Sequence, residues 1–310
     1  MRKYQLIAGL CAVLSVNVAM AKNNISLSAD NITMNTSLGW LGGESKEYVY
    51  DPEDGRKISQ LDWKIKNTAI IKGDISWNAL DWLTLNARGW TTLASGSAGM
   101  DDYDWSNPGQ SHWTDWSTHP RTRLNYANEF DVNIKGWVLA HPYYRLGGVL
   151  GYQQTRFSWT AHGGDYQYDN GNIVGSFPDN LSVIGYQQTF SAPYIGLVGM
   201  YRYRNFEFNA LLKFSAWVQA KDNDEHYRRS LTFRENTYRS RYYSVTLDAG
   251  YYVTPNAKVF TELSLSQYTQ GKGGIHMINQ QSGESQYLGG DAAGIANKNY
   301  SITAGLQYRF

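Results

Sequence analysis

Alternation of apolar and polar positions runs through the chain. In "YSITAGLQYRF" (300–310), Tyr300, Ile302, Ala304, Leu306, Tyr308 and Phe310 fall on one side. Ser301, Thr303, Gly305, Gln307 and Arg309 fall on the other. The same period of two recurs in "LNYANEFDVNIKGWV", where Phe130, Val132 and Ile134 alternate with Glu129, Asp131, Asn133 and Lys135, in "FEFNALLKFSAWV" around 206–218, and in "YYSVTLDAGYYV" around 242–253. This is the signature of β-strands with two chemically distinct faces. Tight-turn chemistry appears in "WNALDW" (77–82), "LAHPYY" (139–144), "YRNF" (203–206) and "VTPNAK" (253–258). Long polar connections lie between them, near 43–57, 94–122, 160–181, 219–241 and 268–298. Short and long connections alternate strictly, which predicts ten antiparallel strands, four short turns and five long loops gathered at one end. Several strands run to about 15–20 residues, against the ~9–11 that cross a membrane, so the expected structure stands well above the bilayer.

Composition says which alternating fold this is. The 310 residues include 24 Tyr, 11 Trp and 10 Phe, yet mean hydropathy is −0.49. A chain polar on average but rich in aromatics fits a barrel whose lumen and lipid faces alternate between aromatic girdles. A soluble β-sandwich also alternates, but does not account for strands this long or for the aromatic final strand, which has the character of a barrel-targeting end. The expected fold is therefore all-β: a ten-stranded antiparallel transmembrane β-barrel extending above the outer membrane. The N-terminus adds an export signal. Arg2 and Lys3 precede an apolar run from Leu6 to Val18, and Ala19-Met20-Ala21 has the small-x-small form of a cleavage site. Residues 1–21 are read as a signal peptide and 22–310 as the barrel. Cys11, the only cysteine, lies within that signal, so disulfides and thiolate metal sites are not expected. Removing the signal takes two of 28 basic residues and none of the 27 acidic ones; the near-neutral balance gives no support for a nucleic-acid partner.

Against this background "AKDNDEHYRR" (220–229) is unusually charged. Asp222, Asp224 and His226 are spaced two apart and share one face of an extended strand. Asp224 beside His226 would fix the imidazole tautomer and leave its second nitrogen as general base. A second pair, Asp102 and Asp104 in "GMDDYDWSNPG", has the same spacing, and neighbouring carboxylates raise one another's pKa and can share a proton. No nucleophile-elbow serine is present, so the nucleophile would be water. Solvated acidic loops are the bland alternative. A calcium loop in "DNDEHYRRSLTF" fails, with Tyr227 where glycine is needed and Phe233 where glutamate is needed; zinc would want more than the one extra histidine, His276, and no metal is assigned.

These residues resemble the omptins, outer-membrane proteases of Gram-negative bacteria. The resemblance covers essentially the whole mature chain, including "GRKISQLDWKIKN", "MDDYDW", "LNYANEFDVNIKGW", "DNDEHY", "DAGYYVTPNAKVF" and "AGLQYRF", and is nearest to the plasminogen-activator (coagulase/fibrinolysin) type. It implies a cell-surface endopeptidase of aspartic type, with a water activated between the Asp224–His226 dyad and the Asp102–Asp104 couple. It implies that Glu47 and Asp222 line an acidic S1 pocket selecting Arg or Lys at P1, and that Asp115 in "HWTDWS" favours a basic P1′ residue. Omptins also require lipopolysaccharide, with no other cofactor expected. Tyr152 and Arg156 in "GYQQTRF" match the lipid motif, whereas Gln154 and Thr189 stand where Glu and Arg are common in the family. The expected partners are polypeptides with basic cleavage sites, lipopolysaccharide and the outer membrane. Two other readings compete. A non-catalytic adhesin would not need the four catalytic-type residues, and a lipid-modifying barrel hydrolase would want a Ser–His pair facing the membrane.

Overall fold

Residues 31–310 are described by the computed structural model, and the signal-peptide assignment lies outside them. The strands are β1 (Ile32–Tyr50), β2 (Lys57–Leu80), β3 (Leu83–Thr92), β4 (Gly96–Asp104), β5 (Asp115–His119), β6 (Arg123–His141), β7 (Tyr144–Tyr168), β8 (Ile173–Tyr203), β9 (Phe206–His226), β10 (Leu231–Tyr252), β11 (Ala257–Asn279) and β12 (Ser285–Arg309). All pairings are antiparallel, and β1 pairs with both β2 and β12, so the sheet closes on itself. A closed sheet leaves no unpaired edge, which is the condition for a β-structure to cross lipid.

Twelve strand segments stand where ten strands were expected. The difference comes from breaks at 93–95 and 120–122. β3 and β4 run in succession along β2, and β5 and β6 run in succession along β4 and β3. Ten staves therefore circle the barrel. The four short turns fall where expected, at 81–82, 142–143, 204–205 and 253–256. The five long connections lie where expected but are largely strand, with the turns proper at 51–56, 105–114, 169–172, 227–230 and 280–284. Above the bilayer both faces of the wall can be polar, so these segments lose the alternation that marks a strand.

Within the alternating segments the faces are inverted relative to a soluble protein. Phe130, Val132, Ile134, Phe208, Leu212, Val245, Leu247, Ile302 and Leu306 are exposed on the outer wall, while Asp131, Asn133, Glu207, Lys213 and Thr303 are buried inside. Trp40, Trp217, Tyr243 and Tyr300 mark one edge of the apolar belt; Trp82, Tyr143, Tyr201, Tyr203, Phe206, Tyr251 and Phe310 mark the turn-side edge. These are the aromatic girdles of an outer-membrane barrel.

The lumen is filled in layers. At membrane depth, cations and carboxylates pair: Lys213 bridges Asp131 and the Gln153 Oε1 atom (2.9 Å), Lys72 and Arg88 converge on Glu262, and Lys258 donates to Glu207 (2.8 Å). Above lies an aromatic layer. The Phe190 and Tyr268 rings stack at 4.3 Å, Tyr242 and Tyr268 at 4.6 Å, and Trp63 and Tyr186 at 5.0 Å, with Trp159 and Phe157 alongside. Beyond this plug comes the rim.

Candidate active site

The rim site is assembled from strands far apart in sequence. β4 carries Asp102 and Asp104, and its register sets them opposite Leu61 and Ser59 of β2. β9 carries Asp222, Asp224 and His226 on its last turnward residues, and β1 carries Glu47. Strand pairing also divides neighbours. Asp101 turns to the outer wall, where it takes hydrogen bonds from Lys64 (2.8 Å) and Thr118 (2.6 Å), and so Asp102 turns inward.

Whether the β9 row faces inward is decided by a bulge. Below it, Lys213 and Ser215 are interior, so odd-numbered residues point into the lumen. Ala216 and Trp217 are both exposed; beyond them Val218, Ala220, Asp222 and Asp224 are interior. The pairing register with β10 shifts at this point, and the Trp217 N–H donates to its neighbour Ser215 Oγ at 3.0 Å. One extra residue in a strand transfers everything beyond it to the opposite face. β10 does the same near Arg239, whose φ is +63°, so that Glu235 and Thr237 face inward above it and Ser240 and Tyr242 below.

Asp102, Asp104, Asp224 and His226 line a single open cleft of about 390 Å³, together with Glu47, Ser59, Arg229 and Phe233. His226 Nε2 meets Asp224 Oδ2 at 2.7 Å, and the ring packs edge-on against Phe233. A carboxylate accepts only, so the proton of this bond sits on Nε2 and Nδ1 is left with its lone pair. Burial opposes charging of His226, but the Asp224 charge and hydrogen bond, with help from Asp102, outweigh it and raise the pKa. Opposite, burial and then the Asp104 charge push Asp102 up to about 8, with His226 and Arg229 acting against them. Asp104 is also raised by burial, partly offset by Ser59 and Arg229. At neutral pH this couple retains a proton.

A second group lies deeper. Glu47 (1% exposed), Asp222 (8%) and Glu235 (2%) bring carboxylate oxygens within 4.8 Å of one another. Asp222 takes hydrogen bonds from Tyr186 Oη (3.0 Å) and from the Glu235 backbone N–H (3.0 Å). Burial lifts all three acids: Asp222 to about 7, and Glu47 and Glu235 well above the ordinary carboxyl range, with mutual repulsion adding to it. Glu235 and Arg229 were not singled out by sequence reasoning. The register could have supplied Glu235: Phe233 pairs with Asp224 and Asn236 with Lys221, which brackets Glu235 opposite Asp222.

The remaining expected residues sit elsewhere. Asp115 pairs with Asp104 across β4–β5, but its oxygens are engaged by Thr114 (2.6 Å), Ser106 (3.1 Å) and the Asp169 N–H (2.9 Å), which hold its pKa down against burial. Tyr152 and Arg156 are exposed on the outer wall of β7. Arg156 donates to Gln154 Oε1 (2.5 Å). Thr189 pairs with Arg156 on one side and Lys221 on the other, and Lys221 is exposed. His276 pairs with Arg234 across β10–β11 and does not line the cleft. A Ser–His pair does occur, Ser117 with His119 at 3.0 Å, but it is buried inside the wall rather than turned to lipid.

Fold and cleft define a class, a closed transmembrane barrel with an acid-lined cleft at its rim, and comparison with known proteins gives the family. The Omptin family model matches residues 28–310. The chain is 59% identical to the plasminogen activator of Yersinia pestis, with all of both chains covered. It is 48% identical to Protease 7 of Escherichia coli strain K12, covering 97% of each. The crystal structure of the outer membrane protease OmpT from Escherichia coli superimposes with a TM-score of 0.89 at 47% identity, over 94% of this chain and all of that one. This chain belongs to the omptin family and is an outer-membrane protease.

Proposed function

We propose that the protease is an endopeptidase that cleaves after Arg or Lys, using a water held between the Asp224–His226 dyad and the Asp102–Asp104 couple. The observation that carries this is the 2.7 Å Asp224–His226 contact in the same cleft as the two facing aspartates. Nδ1 of His226 takes a proton as the water oxygen bonds to the scissile carbonyl carbon. The proton held by the aspartate couple hydrogen-bonds the developing oxyanion and then passes to the departing amine as the C–N bond breaks. Asp224 orients the ring and stabilises the imidazolium.

Selection of P1 falls to Glu47 and Asp222, whose buried charge is met by a guanidinium or ammonium. Asp115 would act at P1′ through the field it shares with Asp104 and Arg229. Lipopolysaccharide is the proposed activating lipid. Tyr152 and Arg156 are exposed on the outer wall of β7, and exposed Lys221, next to Thr189, would supply a cation where Thr189 does not. One relative is named a plasminogen activator, and a zymogen opened after a basic residue is the corresponding substrate class here, alongside host peptides.

The test is cleavage of a peptide library with single Arg, Lys or neutral P1 sites by refolded barrel, read by mass spectrometry with and without lipopolysaccharide. Cleavage after Arg and Lys, dependent on the lipid, is expected. A folded barrel that cleaves without regard to P1 would reject the pocket assignment, and full activity without lipid would reject the lipid's role.

A further inference from the structure

An aromatic cluster on the outer face of the upper wall takes no part in the chemistry above. Tyr103 on β4 pairs in register with Trp116 on β5, and the row continues through Gln167 of β7 to Val174 of β8, which is 68% exposed. Trp105 and Trp113 of the 105–114 turn stand beside it. Ring centroids succeed one another at 6.5 Å from Trp105 to Tyr103, 6.5 Å from Tyr103 to Trp113 and 6.1 Å from Trp113 to Trp116. The rings are tilted rather than tightly stacked, and all four are only half-buried. Lipid tails do not reach them. The upper edge of the apolar belt runs through Trp40, opposite Ala69 of β2. Tyr103 sits opposite Gln60, nine residues nearer the rim, which is about 20 Å higher on a tilted strand. A contiguous aromatic patch left open to water marks a binding surface.

We infer that this patch is an exosite for polypeptide substrates, and that it takes an extended segment with an apolar side chain at every second position. Three features carry the inference. The first is continuity: Trp105 and Ser106 line the cleft with Asp104, so a chain leaving the aspartate couple passes directly onto the first ring. On the mechanism proposed above, that couple protonates the departing amine, so the segment is the one carboxyl-terminal to the cut. The second is spacing. Alternate side chains of an extended chain lie about 6.6 Å apart on one face, which matches the 6.1–6.5 Å steps between the rings. The third is charge. Ions on the neighbouring outer wall are already engaged, Lys64 with Asp101 (2.8 Å), Lys46 with Asp62 (3.5 Å) and Lys57 over the Trp105 ring (3.9 Å). What the surface offers is rings with little free charge, the composition of an interface core.

The platform is also fixed before a substrate arrives. An Arg56 guanidinium N–H donates to the Trp105 carbonyl (2.9 Å), and the Trp105 indole N–H donates to the Ser111 carbonyl (3.1 Å). Gln110 Nε2 donates to the carbonyls of His112 (3.1 Å) and Trp113 (3.2 Å) and to Asn170 Oδ1 (2.6 Å), while the Asn170 N–H donates to the Thr114 carbonyl (2.8 Å). These bonds tie the 105–114 turn to the turns on either side of it, and rings held in place lose little freedom on binding. Rings that served only to pack the turn would affect stability and leave substrate choice unchanged.

The experiment uses the full-length barrel with lipopolysaccharide and three peptides sharing one Arg scissile site. One is unextended, one is extended on the carboxyl-terminal side by alternating Leu and Ser, and one is extended equally by Ser alone. The wild type is expected to cleave the Leu–Ser peptide with a KM about fivefold or more below that of the all-Ser peptide, at similar kcat. Trp116→Ala should erase this gain while cleaving the unextended peptide as the wild type does. Val174→Lys, a change at an exposed position, should reduce the gain too, and it decides the matter if Trp116→Ala does not fold. Equal KM values for the two extended peptides in the wild type would overturn the inference, as would a gain that survives in both folded variants. A gain seen only with the extension on the amino-terminal side would overturn the placement. Variants that keep the peptide gain but lose a preference for vesicles of complete over core-truncated lipopolysaccharide would show that the rings read saccharide, and the inference would fall. If the unextended Arg peptide is not cut, the basic-P1 reading fails by itself; the same comparison is then made on a site the barrel does cut, because it depends only on the extension.

Discussion

Two regions of this barrel bury acidic side chains, and they treat them in opposite ways. At membrane depth three interior acids each have a cation against them: Asp131 has Lys213, Glu262 has Lys72 and Arg88, and Glu207 has Lys258 and Arg202. Hydroxyls complete the coordination, with Tyr194 on Asp131 (2.7 Å) and Tyr252 on Glu207 (2.9 Å). At the rim, Asp102, Asp224 and Glu47 each retain a buried oxygen with no partner among the described residues. The first arrangement closes the lumen and stabilises the wall; the second, on the mechanism proposed above, stores acids whose partners are a water, a peptide bond and a substrate cation. Burial alone therefore does not identify a catalytic carboxylate.

The most damaging change at the rim should be His226→Ala. Loss of the base is expected to lower kcat by about 10³-fold while the barrel still shows heat-modifiable migration on a gel; retained turnover would break the water-activation scheme. In the lumen, Lys213→Met removes the cation that pairs with buried Asp131, and destabilisation of up to about 3–5 kcal/mol is expected. Denaturant unfolding in detergent would read it, with kcat/KM at temperatures where the barrel is folded unchanged. An equal fall in catalysis would show that the two regions are not separate. A sharper test is the pH profile. His226, raised above its ordinary value, must lose its proton to act as base, and Asp102 must keep its own, which it loses near pH 8. A bell with its alkaline limb near pH 8 is expected, and Asp102→Asn should abolish that limb along with roughly 10²-fold in rate.

The smallest effect is on stability. Asp102 and Asp222 have folded-state values of about 8 and 7, raised above the ordinary carboxyl value near 3.8. Raised acids bind protons more tightly when folded, so the stability they contribute is present at low pH and is lost as pH rises through about 7 and 8. The melting midpoint of the free barrel should fall by several degrees across that window, at about 2–4 °C per kcal/mol for a chain of this size. Asp222→Asn should flatten the fall. A midpoint that rises over the same window would mean that these acids are paired in the free protein.

Much of this could be read from the chain. Strand faces in 130–135, 206–215, 244–253 and 300–310 were legible because the lipid side must be apolar while the lumen side at this depth is polar. The four short turns were legible from their Asn, Pro and Asp content. Asp102, Asp104, Asp224 and His226 stood out because paired acids and an imidazole at a spacing of two are rare in a chain this low in charge. The upper hairpins were misjudged as loops for want of contrast: water lies outside them and polar groups inside, so alternation carries no signal.

What the sequence by itself determined is periodicity, turn chemistry and the presence of the acid–imidazole pairs, all of which are local. Which way those pairs face was a tertiary decision. Continued without interruption from Leu212 and Phe214, the alternation of β9 would set Asp222 and Asp224 on the outer wall; one extra residue at Ala216–Trp217 sends them inward. A bulge is a single insertion whose position depends on how the neighbouring strand registers, and the neighbour is chosen only when the barrel closes. The same closure brings Glu47 of β1 and Glu235 of β10 to one point, although 188 residues of numbering separate them, because strands three places apart around a narrow barrel share its interior.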